Sequence, residues 1–150
     1  MSRSVDPDVD LHVPAQRNEI GWPVLAAIAV GGALGSLARY GLAQLLPAEP
    51  GRVPWATFTV NVVGCALIGV LMVVITEVLT PHRLLRPLLG VGVLGGLTTF
   101  STFAVEVHGL LRPGTVLVGV AYLFGSLLCG FAATAFSMAV TRLVCARRSS

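Results

Sequence analysis

The chain is predicted to be an all-α integral membrane protein of four transmembrane helices with the third helix broken, and three observations predict it. Four stretches carry no charged side chain, Ile20–Ala38, Val53–Thr76, Pro87–Val105 and Pro113–Thr141. Each reaches the roughly 18 residues a transmembrane helix needs. The 150 residues are 55% hydrophobic and 11% charged, with no lysine and a mean hydropathy of +0.84. A soluble core helix would set one apolar stripe against a charged face, whereas these runs are apolar nearly all round. Finally, the third run contains Gly95-Gly96-Leu97-Thr98-Thr99-Phe100-Ser101-Thr102-Phe103. Adjacent glycines weaken helicity, and four hydroxyl residues in five positions compete for the helical ladder.

The elements follow in order. Residues 1–19 read as a disordered polar tail, 20–146 as the four-helix transmembrane domain and 147–150 as a C-terminal tail. Asp6, Asp8 and Asp10 alternate as in a calcium loop, but Leu11 and Arg17 stand where that loop needs Gly and Glu. Helix one opens at Trp22-Pro23, an interfacial aromatic followed by a first-turn proline, and runs to about Leu46, before Pro47. Helix two spans Pro54-Trp55 to about Leu79, before Pro81. Helix three runs from Arg86-Pro87 to about Leu110 with its interruption at Gly95–Ser101, and helix four from Pro113-Gly114 to near Arg142. The connections are short, which predicts antiparallel packing of successive helices. Small residues recur four apart at Gly31/Gly35, Gly32/Ser36, Gly92/Gly96 and Ser126/Gly130, where helix backbones can approach closely. Four short helices supply little wall for a polar pathway, which predicts an oligomer, most simply a dimer.

The charge pattern sets topology rather than a nucleic-acid surface, because the ten arginines stand mostly at the ends of the apolar runs. The side with both termini and the loop between helices two and three holds Arg3, Arg17, Arg83, Arg86, Arg142, Arg147 and Arg148. The other side holds Arg52, Arg112 and, late in helix one, Arg39. Seven against three predicts cytoplasmic termini in a multi-pass protein of the cell membrane. Cys65, Cys129 and Cys145 have neither zinc nor disulfide spacing.

Irregular backbone at membrane depth survives only where protein buries it or it lines a wet cavity. The break is therefore a candidate polar passage. Asn61 lies mid-span in helix two, on one face with Thr57, Gly64 and Ile68. Its amide either bonds neighbouring helices together or lines the passage, and the hydroxyl one turn away favours lining. Arg39 lies about 25 Å along helix one from Trp22. Two readings stand for it: snorkelling to the interface, or an electropositive vestibule. Glu106 and His108 could carry protons, but the end of a span favours a solvated position. Tyr122, Ser126 and Gly130 share a face of helix four and would extend a ladder of hydroxyls. Phe100 and Phe103 would ordinarily pack; turned edge-on to a narrow path, their positive ring edges would attract a small anion.

Gly31–Tyr40, Thr57–Gly64 and Gly95–Phe103, in this order and spacing, resemble the fluoride channel family, also called CrcB or Fluc. The resemblance covers roughly residues 21–142. It implies an inverted dimer with two fluoride pathways along the subunit interface, exporting cytoplasmic fluoride passively. It implies that Phe100 and Phe103 are the edge-on aromatics, that Asn61 is a donor near the ion, and that Ser101, Thr102 and Ser126 continue the polar track beside Tyr122. Arg39 would help form the vestibule and Glu106 would stand near one end of the track. Carbonyls of Gly95 and Thr98 would hold a structural Na⁺ at the dimer centre. Cys65-Ala66 and Ala104 depart from the family, which often has a serine and a phenylalanine at the first pair and a serine at the last. A subunit inserting both ways would need balanced flanking charge, so of the two assemblies, a homodimer or a heterodimer with an oppositely oriented paralogue, the arginine bias points to a fixed orientation and the second. The alternatives are a proton-coupled exporter like the small multidrug transporters, whose mid-helix-one carboxylate is missing from Ile20–Ala38, and a membrane scaffold, which would need no break. No Ser or His pair is placed for hydrolysis, so an enzyme is not expected.

Overall fold

The computed structural model describes residues 21–78 and 83–148; the tail 1–19 and the aspartates within it lie outside the described residues. Helix α1 is Trp22–Leu45, with Gly21 preceding it and a proline in the first turn. Helix α2 is Trp55–Val73 and continues as a wider π-helical turn over Val74–Val78. Helix α3 is π-helical over Pro87–Leu94 and closes with an α-turn at Gly95–Leu97. Pro87 lacks a backbone donor, and Gly90 and Gly92 hold the tight ladder weakly, so α-geometry is poorly defended there. Helix α4 is Ser101–Leu110, and α5 is Val116–Arg148. Gly51 (φ 78°) and Gly114 (φ 92°) make the turns before α2 and α5, a backbone conformation only glycine adopts cheaply.

Among the described residues four spans are long and apolar enough to cross a membrane: Trp22–Leu45, Trp55–Glu77, Pro87–Leu110 and Val116–Arg147. Only 17–22% of each is buried within the chain. Each span therefore keeps a substantial outward surface that the chain itself does not cover.

The tightest neighbours are not the successive helices that short loops predict. Helix α1 packs chiefly on α3, and α2 on α5. Glycine decides the first pairing. The Cα of Gly31 sits where a Gly92 Cβ would need to be (2.9 Å), and a Cβ on Gly35 would run into the backbone of Val93 and Leu97. Two of the small-residue pairs thus meet each other, backbone on backbone. The second pairing rests on Gly69 against Ser137 and Thr134, Gly130 against Cys65, and a hydrogen bond from Thr134 Oγ1 to the Cys65 carbonyl (3.0 Å). At one end Glu77 accepts from Arg142 Nε (2.9 Å) and Nη2 (2.7 Å), locking the ends of α2 and α5 at one level. Helix α5 ends at Arg148 rather than near Arg142, because nothing after that ion pair interrupts the helical sequence.

Candidate functional site at the helix break

The break is narrower than the sequence implies. Gly95–Leu97 remains one helical turn, and the chain leaves the helix at Thr98 (φ −80°, ψ 158°) to resume at Ser101. Hydroxyls satisfy the interrupted backbone. Thr98 Oγ1 donates to the Leu94 carbonyl at 2.9 Å, and Thr99 Oγ1 accepts from the Thr102 amide at 3.2 Å, in the manner of an N-cap for α4. Thr99 Oγ1 also donates to Thr102 Oγ1 (3.1 Å) and lies 3.4 Å from Ser101 Oγ.

Helix α2 holds the break from the side. Asn61 Nδ2 donates to the Thr99 carbonyl (2.9 Å), and Asn61 Oδ1 accepts from the Thr99 amide (2.8 Å). The fastening role of Asn61 is thus observed. Its oxygen and one N–H fasten helices together, and its second N–H remains for another acceptor.

On one side of the break lies a cavity of about 450 Å³, lined by Asn61, Gly64, Cys65, Phe100, Phe103 and Ser126 among others, none of them charged. The Phe100 ring is 78% exposed while Phe103 is 6% exposed. Their centroids are 6.1 Å apart, and Phe103 presents an edge contact with Tyr122 at 5.2 Å and 60°. Ser126 Oγ is fully buried and has no hydrogen-bond partner among the described residues. An unpaired buried hydroxyl costs about 1–3 kcal/mol, so the chain leaves a donor waiting for something to meet it.

Further along α4, Glu106 is half-buried rather than solvated. Its Oε1 accepts from Thr57 Oγ1 at 2.7 Å and its Oε2 from Tyr122 OH at 2.8 Å. Tyr122 is 2% exposed, so its hydroxyl serves Glu106 rather than the Ser126–Gly130 face. His108 is exposed and takes no part.

A smaller cavity of about 250 Å³ opens between α1, α2 and the break, with Ser36, Arg39, Tyr40, Thr57, Thr99 and Thr102 on its walls. Arg39 is half-buried there, and neither ion pair among the described residues involves it. Thr99 lines both cavities.

The break also leaves acceptors unspent. No donor among the described residues bonds the carbonyls of Gly95 and Thr98, because Thr99 N is engaged by Asn61 and Thr102 N by Thr99 Oγ1. Free carbonyl oxygens suit a small hard cation. No cluster of three His, Cys, Asp or Glu able to hold a metal occurs among the described residues.

Sequence reasoning missed Thr99 as the residue that α2 grips and that caps α4. A threonine three positions before Thr102, ahead of an apolar run, was the available signal. It also missed the Thr134–Cys65 bond, which two unremarkable small residues gave no reason to expect.

Comparison with known proteins gives the family. The model of the CrcB-like protein, Camphor Resistance (CrcB) family matches residues 26–138. A protein named fluoride-specific ion channel FluC 2 from Nocardia farcinica is 48% identical over 132 residues, covering 88% of this chain and 94% of its own. Another of that name from Streptomyces avermitilis is 50% identical over 126 residues, 81% of this chain and 79% of its own. FluC 1 of Streptomyces coelicolor is 48% identical over 134 residues, 87% of each chain. A match of this extent, across all four spans and both sides of the break, places the chain in the CrcB family.

Proposed function

We propose that the chain is a subunit of a fluoride-selective channel that lets cytoplasmic fluoride leave the cell passively. The observation that carries this reading is the uncharged cavity beside the break, where the spare N–H of Asn61, the unpaired hydroxyl of Ser126 and the rings of Phe100 and Phe103 converge. Neutral donors and ring edges stabilise an anion without trapping it, which conduction requires. The hydroxyls of Ser101 and Thr102 continue this lining, with Tyr122 steadying Phe103 and Glu106 at the far end. Arg39 in the smaller cavity gathers anions at the mouth. Names borne by the relatives support fluoride as the ion.

The assembly is an inverted dimer in this reading, since one subunit buries too little of each span to enclose a path. The unspent carbonyls of Gly95 and Thr98 would hold Na⁺ where two breaks meet, supplying positive charge to oxygens that have no donor. The termini face the cytoplasm, and the arginine bias favours pairing with an oppositely oriented paralogue. Streptomyces avermitilis has relatives named both FluC 2 and FluC 3, which supports the existence of more than one such chain in one organism. A reporter fused to the C-terminus and expressed alone tests this; equal labelling on both membrane faces refutes the fixed orientation.

The decisive test is flux from liposomes containing the purified protein, with any paralogue it requires. Fluoride efflux with chloride retained is the expected result. Absence of fluoride efflux overturns the reading, and equal passage of chloride overturns the selectivity.

A further inference from the structure

One end of the molecule carries positive charge that the pathway does not use. Arg83 and Arg86, just before α3, are exposed, as is Arg147 at the end of α5. Glu77 is the sole carboxylate at this end among the described residues, and Arg142 takes it at 2.7 Å. The other three guanidiniums have no described carboxylate to neutralise them. The opposite end carries less: Arg52 is paired with Glu49 at 2.7 Å, which leaves Arg112 as the exposed guanidinium there without a described carboxylate partner. Helix length adds a second observation. Beyond the Glu77–Arg142 pair, α5 continues through Leu143–Arg148, about 9 Å further at 1.5 Å per residue. On this overhang Leu143 (64% exposed) and Val144 (51% exposed) stand one turn before Arg147. Aliphatic side chains beside an arginine on one helical face suit the boundary between acyl chains and headgroups.

We propose that this end binds anionic phospholipid headgroups, with Arg83, Arg86 and Arg147 on the phosphates and Leu143 and Val144 in the acyl boundary. Guanidinium recognises phosphate bidentately, and three arginines without a carboxylate partner among the described residues favour an anionic over a zwitterionic lipid. The test uses the full chain in detergent, titrated with phosphatidylglycerol, phosphatidylcholine or inorganic phosphate while thermal unfolding and lipid retention in native mass spectrometry are read. Phosphatidylglycerol is expected to bind and raise the unfolding midpoint, and phosphatidylcholine and inorganic phosphate are not. Each of R83Q, R86Q and R147Q should weaken phosphatidylglycerol retention by roughly five-fold, from about 1 kcal/mol per surface arginine, with added salt acting in the same direction. R112Q, at the other end, should leave retention unchanged and serves as the control for general charge loss. The proposal is overturned by equal retention of the two lipids, by a triple variant that keeps the preference, or by inorganic phosphate alone reproducing the shift.

Discussion

Replacing Asn61 separates its two duties. In Asn61→Leu both hydrogen bonds to Thr99, at 2.9 and 2.8 Å, are lost. Interhelical side-chain bonds in membranes contribute about 0.6 kcal/mol on average and about 1.7 at most, so the pair is worth about 1–3 kcal/mol. The break should loosen, and the unfolding midpoint in detergent should fall by several degrees. Asn61→Asp acts differently. It keeps the acceptor for the Thr99 amide but places a carboxylate on the wall of the larger cavity. An anion about 5 Å away would meet a repulsion of about 3 kcal/mol at an effective dielectric near 20, a few-hundred-fold loss of flux. Fluoride efflux from liposomes, started by valinomycin in a potassium gradient and followed with a fluoride electrode, measures it. Flux for Asn61→Asp within about three-fold of the unmodified protein would show that Asn61 does not face the ion. An unchanged midpoint for Asn61→Leu would show that Thr99 is held by something else.

Three further outcomes follow from the packing and the site. Phe100→Ile removes an exposed ring edge and its contact with Phe103 while the buried Phe103–Tyr122 contact stays, so efflux should fall at least ten-fold with an unaltered elution volume on size exclusion. Gly35→Ala drives a methyl into the α3 backbone and should destabilise by about 1–3 kcal/mol, whereas Gly41→Ala, with no atom within 4 Å, should be neutral or stabilising because alanine favours helix; equal unfolding midpoints for the two variants would refute the crossing. Exchange of Na⁺ for a large organic cation should lower the unfolding midpoint if the Gly95 and Thr98 carbonyls hold sodium, and an unchanged midpoint removes that assignment.

The four spans were legible because hydrocarbon tolerates so few charges that their absence alone marks each helix. The break was legible from its local composition, adjacent glycines followed by four hydroxyl residues in five positions, but its extent was not. Gly95–Leu97 keeps its helical turn because its own amides still reach carbonyls behind it, and it is the hydroxyl residues from Thr98 onward that offer the backbone a substitute ladder. Glu106 was misread because depth along one helix says nothing about what stands opposite. Its partners Thr57 and Tyr122 come from α2 and α5, 49 and 16 positions away in the chain. The helix pairing was hidden for a related reason. Glycine spacing shows that a helix can be approached closely, not by which neighbour.

The interrupted third span places two helix ends of opposite polarity back to back inside the membrane. The last turn of α3 finishes with bare carbonyls, and α4 begins with amide hydrogens directed back toward the gap. Oriented peptide dipoles can therefore add a bias by sign to whatever the side chains supply. That contribution depends on no protonation state and adds no full charge to the membrane interior. A gap of this kind keeps its polarity in acid, where a carboxylate or imidazole at the same depth would lose or reverse its own.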